Sequence, residues 1–377
     1  MICKQKFIRN GLQNTLKAFI FIIFTIYYYP VLSQDSISPS VYKEIVKLVH
    51  YYHYKKPPVQ QFLETSSIKQ INLFLKKFDP YSQYITNARQ QFHERRAQES
   101  RIGIGINIVG NSRKLLAIPI QKSPAYYAGL KKAGCLLTIN DRKIDIENFE
   151  TFSFLTQFAV GEKVTLSVSD TGLLDDSTKF YQITVKKYHN ASVEWVSHPR
   201  VNLIRIHQFI SNTTKELTEL LGKAKKNNKK IVIDLRFSPG GSLFEAVDSA
   251  SLFLPADVPV VYLNSAHQSK YKILYSLPDR VIHKKVDILI SPYTASAAEV
   301  FAKALQFYGS AQLVGTESYG KCLSQKTFKL SNDAVLKLSV FEMFPPTHNN
   351  QYSCENYLLS PDIYIDPHFI LDIPNIY

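Results

Sequence analysis

Three successive periodicities predict an α/β protein with a helical start, a β-rich middle and an alternating second half. Up to about residue 98 apolar side chains recur at helical spacing. From Arg101 they alternate with a period of two, and from Ser192 strand-like and helix-like runs take turns. The implied regions are 1–33, 34–98, 99–190 and 191–377.

The first region reads as a leader. Lys4, Lys6, Arg9 and Lys17 precede the apolar stretch Ala18 to Leu32, and no acid occurs before Asp35. Such a segment is a signal peptide cut near Gln34, or else an uncleaved membrane anchor. Either would place the protein in a periplasm or another extracytoplasmic compartment. In the second region Ile45, Leu48, Val49 and Tyr52 mark one helix, and Ile68, Ile71, Leu75 and Phe78 mark another. Pro57-Pro58 separates them, and the turn Asp79-Pro80-Tyr81-Ser82 closes the second.

In the third region Ile102, Ile104, Ile106 and Ile108 alternate with glycines and Asn107, which predicts one strand with one buried face. Further strands are expected at Leu115–Ile120, Leu136–Ile139, Val164–Ser169 and Tyr181–Lys187, with short helices at Ala125–Leu130 and Phe149–Phe158. The last region alternates. Strands are expected at Val201–Ile206, Ile231–Leu235, Val260–Leu263, Val286–Ile290 and Gln312–Val314. Helices are expected at Thr213–Lys226, Leu243–Leu252 and Ala297–Gln306, and a β-rich hairpin at Thr327–Phe344 turns at Asn332-Asp333.

Ser296 and Lys321 follow two of these buried strands, and Gln325 lies four residues further on. A serine with small neighbours at a strand-to-helix turn can present its hydroxyl to a carbonyl. A lysine accepts its proton only when neutral, which requires an apolar pocket. Taken singly, each residue has a plainer role: Ser296 with Glu299 spells a helix-opening capping box, and a lysine after glycine is usually a solvated charge. A third segment, Asp234-Leu235-Arg236-Phe237-Ser238-Pro239-Gly240-Gly241, breaks a buried strand into a glycine turn whose N–H groups can hold an oxyanion.

These three segments together resemble the carboxyl-terminal processing peptidases, which use a serine–lysine dyad. The family patterns D-L-R-x-N-P-G-G, S-A-S-A-S-E and F-G-K-G-x-x-Q have recognisable counterparts here, in order. The resemblance implies Ser296 as nucleophile, Lys321 as base and Gln325 as its orienting partner. Either of Gly240 and Gly241, with Ala297, would supply the oxyanion donors. It further implies a crotonase-like α/β peptidase core and a PDZ-like β-rich domain, the latter carried by Ser123-Pro124-Ala125 and Ala128-Gly129-Leu130. In such domains a glycine-hydrophobic loop, here Gly103, Ile104, Gly105 and Ile106, receives the terminal carboxylate of a peptide that adds as a strand. The isoleucines would then wall a pocket for the residue before that carboxylate.

The implied function is an endopeptidase acting near free C-termini of exported or unfolded polypeptides. A catalytically silent PDZ-containing scaffold is the alternative. Four departures from the family patterns stand out. Ser238 replaces asparagine, Thr294 and Ala298 replace serines flanking the nucleophile at some cost in local hydrogen bonding, Ala133-Gly134-Cys135 replaces Pro-Gly-Asp, and Cys322 replaces the glycine after the lysine. If position 322 requires positive φ, a cysteine there is strained and Lys321 displaced.

Other classes lack support. The net charge of +14 comes from thinly spread lysines such as Lys225-Lys226 and Lys229-Lys230, without a nucleic-acid signature. Membrane-surface association and a homo-oligomer stay open. Gly315 to Lys321 imitates a P-loop, but Cys322 stands where magnesium needs Ser or Thr, and a strand pattern follows. Asp170-Thr171-Gly172 has no second copy to form an aspartic-protease pair. Neither the histidines nor Cys3, Cys135, Cys322 and Cys354 show metal-ligand spacing, so no metal or cofactor is expected. Cys322 and Cys354 could pair, a matter the spacing leaves open.

Overall fold

The computed structural model describes residues 36–59, 67–86, 100–110, 115–143, 158–170, 177–269, 271–278, 281–347, 354 and 357–365. The leader and the helix expected at Phe149–Phe158 lie outside these residues, apart from Phe158, which is irregular. The fold is mixed α/β.

A six-stranded sheet organises the second half, in the order Val193–Val196, Val201–Ile206, Lys230–Asp234, Val286–Ile290, Ala311–Gly315 and Ile363–Tyr364. The first pair is antiparallel and the rest are parallel. Parallel neighbours need crossover connections, and helices Thr213–Ala224, Leu243–Ser251 and Ala297–Phe307 provide them. Leu217, Leu221, Ala246, Ala250, Val300, Phe301 and Leu305 from these helices share one core with Ile204, Ile233, Ile288 and Leu313 of the sheet. The glycine turn, Ser296 and Lys321 each follow a different parallel strand, all at the carboxyl edge. That edge is where open α/β sheets place their ligands.

A second sheet holds the expected hairpin, Leu323–Lys329 with Val335–Phe344, together with Gln83–Ile85, Pro259–Asn264 and Lys272–Tyr275. Helices Pro39–Tyr52 and Ile68–Lys76 start at Ser38 and Ser67, whose hydroxyls accept the N–H of Val41 and Gln70. Ile45, Val49, Ile71 and Leu75 then pack on Leu336 and Leu338 of the hairpin. The amino-terminal helices thus share their core with a segment from the far end of the sequence.

The β-rich middle is a sheet of Ile106–Gly110, Leu115–Pro119, Gly134–Ile139, Lys163–Ser169 and Lys179–Thr184, with Arg142–Lys143 at its edge. The single alternating strand expected from Ile102 to Ile108 is instead two. Ser100–Gly103 pairs with Lys186–His189, while Ile106–Gly110 joins the main sheet. Gly105 makes the break: its φ is +78°, and a Cβ there would lie 2.1 Å from that of Ser123.

The Asp79 turn joins the amino-terminal helices to the hairpin sheet. Asp79 Oδ1 accepts the N–H groups of Tyr81 and Ser82, both at 2.7 Å, and the Ser339 hydroxyl at 2.9 Å. Oδ2 accepts the Ser82 hydroxyl at 2.7 Å and lies 2.8 Å from His53 Nε2. The His53 and Asp79 side chains are both 0% exposed. Burial alone would raise the carboxyl pKa, but hydrogen bonds from His53, Ser82 and Tyr81 outweigh it and hold the group at about 2. Asp79→Ala strands these donors in the interior, so we expect urea unfolding to show a loss of about 3 kcal/mol. Because the folded pKa is depressed, Asp79's contribution is present above about pH 4 and fades as pH falls towards 2.

Candidate active site

Ser296 sits in a tight turn that the sheet itself braces. The Thr294 hydroxyl donates to Leu235 O at 2.8 Å and accepts the Ser291 N–H at 2.9 Å. The Ser291 hydroxyl donates to Arg236 O, and Ala295 N–H donates to Ser238 O at 3.0 Å. Thr294 therefore adds bonds to this turn rather than removing them. Ala298, the other small substitution, is fully buried core. Ser296 itself has φ +58° and ψ −122°, a strained conformation for a side chain larger than glycine, at the N-cap of helix Ala297–Phe307. The helix directs the free N–H of Ala297 and its positive dipole end towards this turn.

Glu299 ties this turn to the lysine loop. Its side chain is buried, and Oε2 accepts the N–H of Ser296 at 2.6 Å and that of Lys321 at 2.9 Å. Oε1 accepts the Gly320 N–H at 2.7 Å and the Ser318 hydroxyl at 2.5 Å. Burial raises its pKa, opposed by these four donors. The Ser-x-x-Glu spacing that spells a capping box thus also anchors a distant loop.

The Lys321 amine donates to Gln325 Oε1 at 3.0 Å and lies 4.6 Å from the centre of the Tyr81 ring. Gln325 Nε2 in turn donates to Tyr81 O at 2.8 Å, so the Asp79 turn supports both residues. Burial, reinforced by Lys337 and opposed by Glu299 and Asp79, lowers the lysine pKa to about 8. Position 322 is not in the left-handed region. The positive φ of this loop falls on Gly320, at +84°, so the expected strain at Cys322 does not arise. Cys322 is instead joined to Cys354 by a disulfide, and its carbonyl accepts the Met343 N–H at 2.7 Å.

The glycine turn lies against Ser296. A Cβ on Gly240 would be 2.6 Å from Ala295 O, 2.8 Å from Ala297 N and 3.0 Å from Ser296 Cβ. Gly241 packs as closely on Phe209, where a Cβ would come 2.1 Å from the carbonyl oxygen. Carbonyls here are used internally: Gly240 O accepts from Phe209 N–H, and Phe209 O from Ser242 N–H. The N–H groups of Gly240, Gly241 and Ala297 meet no acceptor among the described residues. Ser296, Lys321, Gln325, Gly240, Gly241 and Ala297 therefore lie together at one edge of the sheet.

Gly103 to Ile106 lie elsewhere, on the β-rich sheet. Ile104 O accepts the Ala125 N–H, and Gly105 O accepts the Ile120 N–H and the Ser123 hydroxyl. The side chains of Ile104 and Ile106 are buried with Ala125 and Leu130, so they cannot wall an open pocket. This sheet is wired to the peptidase-like core. Gln121 N–H donates to Glu194, Asn107 Nδ2 lies 3.4 Å from His207 Nδ1, and Glu194 and Asp234 share Arg205. Burial opposes ionisation of Asp234, but Arg236 and Arg205 hold its pKa well below the carboxylate range. Among the described residues no group of three His, Cys, Asp or Glu side chains could hold a metal.

Residues 200–365 match the model of peptidase family S41. A probable CtpA-like serine protease of Staphylococcus saprophyticus is 30% identical over 298 residues, which cover 78% of this chain and 59% of that protein. A namesake from Staphylococcus aureus is 28% identical over 86% of this chain and 64% of its own. The chain thus spans about three fifths of the length of these relatives. Among solved structures, a photosystem II D1 C-terminal processing protease superposes with a TM-score of 0.63 at 20% identity, covering 88% of this chain and 94% of the other. An S41 protease from Bacteroides fragilis gives 0.56 at 15% identity, covering 88% and 95%. An α/β core that gathers a serine and a half-buried lysine at its carboxyl edge has the fold of these proteases. Over residues 200–365 the chain is similar to peptidase family S41.

A lysine whose pKa falls from 10.5 to about 8 on folding destabilises the fold. The unfolded chain binds its proton more tightly, so the penalty is complete below pH 8 and fades as pH rises to 10.5. Lys321→Met should therefore raise stability at pH 7 by roughly 1–3 kcal/mol in denaturant titrations. That gain should vanish near pH 11.

Proposed function

We propose that the chain is a serine endopeptidase that cuts polypeptides near their C-termini, with Ser296 as nucleophile and Lys321 as general base. The observation that carries this reading is the half-buried Lys321 amine, lowered to about pKa 8, held by Gln325 and carried on a loop linked to the Ser296 turn through Glu299. A lysine with an ordinary pKa would be a cation at neutral pH and useless as a base. The neutral amine can give one N–H to Gln325 and keep its lone pair for the serine proton. Ser296 Oγ then adds to the scissile carbonyl while its proton passes to Lys321. The developing oxyanion is met by the free N–H of Ala297 and of Gly240 or Gly241. Lys321 returns the proton to the leaving amine, and water, deprotonated in the same way, releases the acyl group.

Selection of substrate is assigned to the β-rich sheet acting as a PDZ-like domain. The carbonyls of Ile104 and Gly105 are tied back, while their N–H groups meet no acceptor among the described residues. That polarity suits a terminal carboxylate. The Cys322–Cys354 disulfide supports a site of action outside the reducing cytoplasm, in a periplasm-like compartment. Mass spectrometry of the mature amino terminus distinguishes a chain processed near Gln34 from an anchored one.

Ser296→Ala and Lys321→Ala should each abolish cleavage of an unfolded protein substrate without loss of fold, and the double variant should be no worse, since both act in one proton transfer. Equal activity in wild type and Ser296→Ala would leave the binding-scaffold alternative. kcat/KM should rise as pH passes through about 8 and then level off, because protonated Lys321 is inactive. Amidating the terminal carboxylate of a peptide that extends past the cut should weaken binding by about 2 kcal/mol, roughly thirtyfold. Identical cleavage of free and amidated peptides rules out tail reading by Gly103 to Ile106.

A further inference from the structure

The loop from Thr316 to Cys322, which carries Lys321, is held on two sides. On its inner side Glu299 accepts from Ser318, Gly320 and Lys321. On its outer side lie residues from much later in the sequence. Leu359 N–H donates to the Ser318 hydroxyl at 2.9 Å, and its carbonyl accepts the Ser318 N–H at 3.2 Å. A Cβ on Gly320 would sit 3.1 Å from Leu358 Cδ2. Tyr357 and Leu359 are buried in the same core as Cys322. The Cys322–Cys354 bond, one residue beyond Lys321, is the only covalent part of this outer support among the described residues. Cys354 is partly exposed, which gives a reductant a point of entry.

We propose that Cys354, through its bond to Cys322, is a positioning residue for the general base, so that turnover depends on the redox state of this bond. This rests on the reading of Lys321 as base. Without the bond, the far end of the lysine loop keeps the Met343–Cys322 backbone contact but loses its covalent tether, and the outer segment holds the loop only through Ser318 and Gly320. An amine placed on a looser loop spends less time aligned with the serine proton, and misplacement of a catalytic group by about 1 Å can cost a hundredfold in rate. The chemistry balances with an external dithiol. Two electrons and two protons pass to the sulfurs, yielding two thiols, and the dithiol closes to its own disulfide.

The test uses full-length protein purified from an oxidising compartment. Dithiothreitol should add two hydrogens to its mass and lower kcat about tenfold with little change in KM, while near-UV circular dichroism stays native. The rise of kcat/KM with pH should also move upward, because water reaches the amine more freely. Glu299, Lys337, Asp79 and Tyr81 face that amine from the helix, the hairpin and the amino-terminal turn, and Gln325 accepts its hydrogen bond. Cys322→Ala with Cys354→Ala should show the reduced rate with or without dithiothreitol. Reduced wild type cutting at the oxidised rate overturns the proposal, as does a double variant still inhibited by dithiothreitol. Loss of the native spectrum along with activity overturns it too, making the bond a global staple instead. If Lys321→Ala remains active, the base assignment itself has failed. If Lys321→Ala is inactive and redox has no effect, only the positioning role is lost.

Discussion

A single buried carboxylate holds the candidate active site together. Glu299 sits in the first turn of the helix that begins at Ser296, so its distance from that residue is set by helix geometry. Its oxygens accept donors from both the serine turn and the lysine loop, which are joined to the sheet through different strands. Any shift of one loop relative to the other must therefore break hydrogen bonds in a dry environment, where their loss is costly. Ser296 can occupy an uncommon backbone conformation because this carboxylate and the Thr294 and Ser291 hydroxyls over-determine it.

The lysine is tuned by parts of the chain that have no sheet position in common with it. Burial by the packed core lowers its pKa, and Lys337 on the hairpin adds repulsion. Tyr81, from the amino-terminal region, covers the amine with its ring while its carbonyl fixes Gln325. The Asp79 turn holds Tyr81 with two short backbone bonds and is itself closed by Ser82, Ser339 and His53. A network that looks purely structural thus supports the chemistry at its edge.

Much of this was legible in the residue order. Buried strands such as Val286–Ile290 announce themselves as short apolar runs, and Ser296, Lys321 and the Gly240-Gly241 turn follow such runs directly. Contacts that depend on tertiary placement were not legible. Glu299 reads as a helix cap, since the Ser-x-x-Glu pattern cannot show that a second, distant loop converges on the same carboxylate. Asp79-Pro80-Tyr81-Ser82 reads as a helix stop, with nothing to reveal that Tyr81 reaches the lysine. The alternation from Ile102 to Ile108 suggested one strand because period two does not register the bend that Gly105 permits. Cys322 looked like a liability when judged from the glycine it replaces, whereas the left-handed residue of that loop is Gly320 and the cysteine has a partner of its own.

The pairing of Tyr81 with Gln325 also bears on how the protein is made. These residues are 244 positions apart, and the amino-terminal helices that present Tyr81 bury their apolar faces on a hairpin near the other end of the chain. The early helices have no surface to cover until that hairpin is present. An incomplete chain therefore lacks the desolvated amine that would arm its hydroxyl. The proposed catalytic pair is thus complete only when segments from both ends of the described chain have folded together.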